Sequence, residues 1–145
     1  MKLLIIISFY SIFTFSQNLR SPEEVKAFNK EFIRLINIER KKLNIDILIE
    51  SEELNNKSMS WSRECVTFSK FEHSKLTNAS AECLTSCSGK GKHTLFILKA
   101  INSFKLSEPH WKILMDPSYK YIGLGEYYNR LADSTLTSVV TVQLK

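Results

Sequence analysis

No stretch of this 145-residue chain is long and apolar enough for a comfortable membrane span. The longest largely apolar run, Leu3 to Phe15, stops short of the roughly 20 residues that a bilayer-crossing helix needs. There is no internal repeat and no coiled-coil heptad, so solenoids and long zippers are excluded. The Ser88-Gly-Lys-Gly-Lys92 tract lacks the P-loop spacing and its Ser or Thr after Lys, and reads as a solvated loop. Cysteine is scarce: Cys65, Cys83 and Cys87 only, with no second pair beside the Cys83–Cys87 spacing to make a cysteine zinc site. The formal charge of +5 is spread along the chain and forms no nucleic-acid footprint. Its densest cluster, Arg40-Lys41-Lys42, falls at an expected helix end, where cations complement the dipole.

What is present at the N-terminus is a targeting pattern. Lys2, the apolar run and the small residues of Thr14-Phe15-Ser16 predict a signal peptide over residues 1–16. No cysteine lies near that cut, so a lipid-anchored form is not expected. A secreted or periplasmic chain beginning near Gln17 would keep no stable membrane span, and losing Lys2 takes its charge from +5 to +4. Residues 17–145 suffice for one domain. In an oxidising compartment three cysteines allow one disulfide and one remaining thiol, with all three pairings open.

Ser21-Pro22-Glu23-Glu24 is a helix start, with Ser as N-cap, Pro in the first turn and Glu three residues after the cap. Val25, Phe28, Phe32, Leu35 and Ile36 then recur at helical spacing, predicting a helix to about Leu43, stopped by Asn44. Ile45, Ile47 and Leu48 continue into a short packed connection. Ser51 opens a second helix with Leu54, Ser58, Trp61 and Cys65 on one stripe, ending before Phe71. Residues 74–93 are polar and turn-rich and read as a long surface loop. A third helix is expected from Thr94 to Phe104, and a short fourth one, capped by Ser107, carries His110, Trp111, Ile113 and Leu114. Strands follow at Tyr119–Tyr128 and Thr135–Leu144, the last alternating as a half-buried strand does. Gly123 and Gly125 mark a close approach of another backbone or a ligand. Helices followed by a closing hairpin make an α+β domain with an antiparallel sheet covered by helices.

The chemistry-bearing residues are His73, Glu82 and His110, two imidazoles and a carboxylate. They sit in an ordered set: Asn37-x-x-Arg40, Leu54 with Ser58, Phe71-x-His73, Glu82, Phe104-x-x-Ser107-x-x-His110, Ile122-Gly-x-Gly125 and Val140-x-Val142. That set resembles the CAP superfamily of cysteine-rich secretory and pathogenesis-related proteins, in the form of its short bacterial members. The resemblance implies an α-β-α sandwich, a short antiparallel sheet flanked by helices. It also implies a cleft lined by His73, Glu82, Ser107 and His110, in which His73 and His110 are the metal ligands where a member holds zinc. The family's Gly-Glu-Asn motif reads Ala81-Glu82-Cys83 here, its second glutamate is Ser107, and the glycine after the first helix is Asn44.

Three functions compete, the last of them, a lipid or sterol carrier with an apolar groove between helices, being one that the resemblance implies from some eukaryotic members. The first is a CAP module without catalysis of its own, presenting the cleft to an envelope or extracellular ligand or protein. The second is a zinc-dependent, protease-like hydrolase in which His73 and His110 hold the metal and Glu82 is the base. Ser107 and His110 do not form a nucleophile–base pair, because no acid stands ready to orient the imidazole. Asn37 and Arg40 read as structural groups tying the first helix to neighbouring backbone, Trp61 and Trp111 as packing residues, and His93 as a surface residue.

Overall fold

The computed structural model describes residues 20–75, 79–89, 93–130 and 135–145; the expected signal peptide lies outside them. Helix α1, Pro22–Lys42, begins on the predicted capping box: the Ser21 hydroxyl accepts from the Glu24 N–H, and Glu24 accepts from the Ser21 N–H. It stops because Asn44 takes φ 55, a left-handed turn that Asn tolerates where most residues resist it. Strand β1, Ile49–Glu50, precedes α2, Glu52–Thr67. Then come β2, Ala81–Gly89, α3, His93–Leu106, and α4, Glu108–Leu114. The hairpin of β3, Tyr121–Arg130, and β4, Leu136–Leu144, closes the domain.

The sheet order is β1-β3-β4-β2, antiparallel except for the two-residue parallel edge β1–β3. One face packs on α1, α3 and α4 around Phe32, Ile36, Phe104, Leu124, Val140 and Val142; α2 covers the other. Three layers result: the expected α+β sandwich.

Two readings of the sequence need correction. Residues 74–93 do not form one loop, since 81–89 make a nine-residue strand in continuous register with β4. Ala81 to Thr85 are buried on both faces, so the alternation that betrays a half-exposed strand is missing. The last strand is likewise buried on both faces from Ser138 to Leu144, because α2 lies over its Thr and Gln side.

Gly123 and Gly125 mark the approach of a backbone, that of α2. A Cβ on Gly125 would lie 2.1 Å from the Met59 nitrogen, and one on Gly123 would lie 2.3 Å from the Leu54 carbonyl carbon. The helix is bound at this contact by Ser58 Oγ to Gly123 O, 3.3 Å, and Ser62 Oγ to Gly125 O, 2.8 Å. Arg40 is fully buried and donates to the carbonyls of Asp46, Leu114, Asp116 and Tyr119. Asn37 makes a two-way amide pair with Leu48, at 2.9 and 2.8 Å. Both do what the sequence reading assigned them: α1 is tied to the backbone on either side of the sheet edge.

The cysteines correct the expectation of a bridge. All three are free and buried. Cys65 packs with Leu84 and Val139 under α2, whereas Cys83 and Cys87 belong to the core on the opposite face. Four residues along an extended strand separate two α-carbons by about 13 Å, beyond the roughly 7 Å limit for a disulfide. No pairing is compatible with this arrangement.

Candidate functional site

The site forms at the outer edge of β2. Glu82 points to the α2 side of the sheet, next to Gln143, its register partner on β4. The chain leaving α2 wraps round that edge and places His73 and Ser74 over the carboxylate. Trp61 secures this segment, its indole N–H donating to the Glu72 carbonyl at 3.0 Å. From the opposite face α4 brings His110 to the same edge, where the Cys83 thiol donates to the His110 carbonyl at 3.7 Å.

Glu82 is the hub. Its side chain is fully buried, and it accepts from four donors. His73 Nδ1 lies 3.0 Å from Oε1, and the Ser74 N–H donates to the same oxygen at 2.9 Å. The Ser74 hydroxyl donates to Oε2, as does Gln143 Nε2 at 3.0 Å. A carboxylate only accepts, so His73 Nδ1 carries a proton and donates to Glu82. Each oxygen has about two lone-pair directions, and all of them are in use.

The His73 side chain is 59% exposed, so its free nitrogen is open to solvent. The His110 ring lies 6.4 Å from it, centroid to centroid, and edge-on to Phe104 at 5.6 Å. Burial, helped by the neighbouring His73, holds the His110 imidazole below its ordinary range. It is therefore neutral at neutral pH.

The structure thus brings together three of the four cleft residues predicted from sequence. Ser107 is the N-cap of α4 by position, accepting from the Trp111 N–H through its carbonyl at 2.9 Å. Its hydroxyl makes no cap bond and does not join the His73–Glu82 group. Pro109 explains part of this, since it removes one of the two N–H groups that a cap side chain would satisfy. Ser74 and Gln143 are site residues that the sequence reading missed. Ser74 sat in the presumed loop. Gln143 reads as one polar residue among several on β4, and only the register with β2 shows its role. Trp61 and Trp111 are half-buried, each beneath a lysine ammonium, at 4.2 Å for Lys70 and 5.2 Å for Lys105. The side chain of His93 lies outside the described residues.

A catalytic zinc site uses about three protein ligands and leaves one position open. Among the described residues no cluster of three or more His, Cys, Asp or Glu is placed to hold a metal. Glu82 is already occupied, so the donor set here is two imidazoles, short of that requirement. What the arrangement does resemble is the outer-shell device in which a carboxylate fixes a histidine's tautomer and orientation.

The fold and this edge site together define a class. The CAP family, the cysteine-rich secretory protein family, matches residues 33–143, and the chain belongs to it. Among solved structures, MpPR-1i superposes with a TM-score of 0.61 at 16% identity, over 87% of this chain and 90% of that one. An outer surface protein from Borrelia burgdorferi gives 0.58 at 17%, over 89% and 98%. A cysteine-rich secretory protein from Staphylococcus aureus gives 0.56 at 16%, over 88% of this chain but 41% of its own length. None of the curated proteins matches the chain significantly in sequence. No helix among the described residues is long and apolar enough to cross a membrane.

Proposed function

We propose that this chain is a secreted or envelope-exposed CAP domain. Its His73–Glu82–His110 cleft binds a ligand or partner outside the cell and carries out no hydrolysis. The observation behind this reading is the saturation of Glu82 by His73, Ser74 and Gln143. A general base needs a free lone pair within reach of the proton it takes, and Glu82 has none to spare. It acts instead as a positioning residue, aiming the open Nε2 of His73 outward beside a neutral His110. Such a pair accepts hydrogen bonds from N–H or O–H groups of a ligand.

The zinc-hydrolase reading has one feature in its favour, the carboxylate-oriented imidazole. There His73 and His110 would hold the ion, which would supply an activated water; ligand or substrate would have to complete the coordination.

One experiment separates the two. Wild type, Glu82→Gln and the His73→Ala/His110→Ala variant are titrated with zinc and assayed on peptide and ester substrates. The expected result is zinc binding no tighter than micromolar order and no turnover above the blank. Turnover lost in the double variant, with stoichiometric zinc in the wild type, would overturn the binding-module reading.

A further inference from the structure

A cavity of about 330 Å³ opens where α2 ends and leaves its face of the sheet uncovered. Its floor is apolar, with Cys65, Val66 and Val139, and the ring of Phe71 stands 59% exposed at its mouth. Ser86, Asn129 and Thr137 supply neutral polar groups round the rim. Asn129 and Thr137 face each other across the β3–β4 ladder, and Ser86 stands opposite Val139 across β2–β4, so the floor and much of the rim rest on rigid sheet.

The remaining lip is a helix terminus of unusual composition. The Lys70 N–H reaches back to the Cys65 carbonyl at 2.9 Å and the Ser69 N–H to that of Val66 at 3.4 Å, a Schellman closure. The left-handed residue it requires is Ser69, at φ 50, where glycine is the usual choice. This turn throws Lys70 and Phe71 over the opening. The Lys70 ammonium is already committed, at 3.3 Å from Glu64, 3.8 Å from Glu72 and above the Trp61 ring. With two carboxylates to one ammonium, the lip offers an anion nothing, and the Cys65 thiol is kept neutral by burial.

We propose that this cavity is a binding site, separate from the histidine cleft, for a small neutral fused-ring molecule carrying one hydroxyl or amide group. Size argues for two rings: a dry cavity of about 150 Å³ accommodates one benzene, and this one has roughly twice that volume. Apolar floor and uncharged rim argue for a flat apolar body with a single hydrogen-bonding edge.

The test uses 2-naphthol, followed by its own fluorescence and by amide shifts of the labelled protein. Wild type is expected to bind it saturably, one per chain, with shifts at Val66, Phe71, Ser86 and Val139. Ser86→Phe, on the exposed edge strand, fills the cavity and should weaken binding by about tenfold or more. Thr137→Phe fills the same space from β4 and serves as the second variant if the first fails to fold. No saturable binding by the wild type up to the probe's solubility limit would overturn the proposal. So would binding that both folded variants retain, or that is lost with His73→Ala, since either places the probe outside this cavity.

Discussion

Replacing Gly125 by alanine tests the packing on which both sites depend. Gly125 lies in regular strand with no positive φ, so the cost of a methyl group there is steric alone. The added carbon would lie 2.1 Å from the Met59 nitrogen and 2.2 Å from its α-carbon. Ordinary contact begins near 3.5 Å, so α2 must retreat by roughly 1.4 Å. The obstructing atoms are helix backbone, which cannot swing aside as a side chain would. Overpacking costs about 1–3 kcal/mol. The retreat also pulls Ser58 and Ser62 from the Gly123 and Gly125 carbonyls, and Ser62 from Thr141 at 2.7 Å. Stretching these buried bonds adds about 1 kcal/mol each. A loss of about 4–6 kcal/mol is expected, against total stabilities of about 5–15 kcal/mol. Urea unfolding followed by far-ultraviolet circular dichroism measures it. Gly123→Ala pushes on the same helix, so the double variant should cost less than the sum of the two singles. A loss below about 1 kcal/mol, or strict additivity, would refute the reasoning that a single rigid helix rests on both glycines.

Three further outcomes are expected. Burial pushes the Cys83 thiol up to about 12 and the Cys87 thiol up to about 11, with Cys65 raised as well. Ellman's reagent should therefore find almost no reactive thiol in native protein and three in urea; fewer than three after unfolding would mean a disulfide and sink the free-thiol arrangement. Because burial and His73 hold His110 below its ordinary 6.5, its contribution to stability is present above that value and lost as pH falls through the folded one. His110→Gln should flatten the stability loss on acidification from about pH 7 to about pH 5, and an unchanged slope would contradict this. Glu126 runs the other way: burial outweighs its Arg20 partner and raises it to about 7, so its contribution is full below its ordinary 4.5 and lost as pH rises through about 7. Glu126→Gln should remove that decline, and a pH–stability curve that keeps it would exclude Glu126 as its source.

How far the sequence reveals this molecule depends on whether a residue's role is local or set by register. The first helix is legible because its cap, first-turn proline and apolar stripe lie within one segment. Arg40 and Asn37 are legible too, as polar residues at a helix end with no local partner to satisfy them. Strand β2 is not, since a strand buried on both faces has no alternation and its Cys, Ser and Thr content mimics a loop. Misplacing β2 hides half of the site. His73, Glu82 and His110 are recoverable from an ordered family pattern, yet nothing in that pattern says that Gln143 stands opposite Glu82.

That register decides the chemistry. With one oxygen free, Glu82 would be available as a base or a ligand. Bonded by His73, Ser74 and Gln143, it becomes the group that aims an imidazole. Gln143→Leu distinguishes these roles, because it frees a lone pair on Oε2 and removes only a long 3.4 Å bond to the Ser74 hydroxyl, while the bonds of His73 and Ser74 to Glu82 remain. If Glu82 only positions, His73 keeps its Nδ1–H tautomer in imidazole nitrogen spectra and no new activity emerges. Hydrolysis that appears on removing Gln143 would show that Glu82 acts as a base once a lone pair is free, and would refute the positioning role.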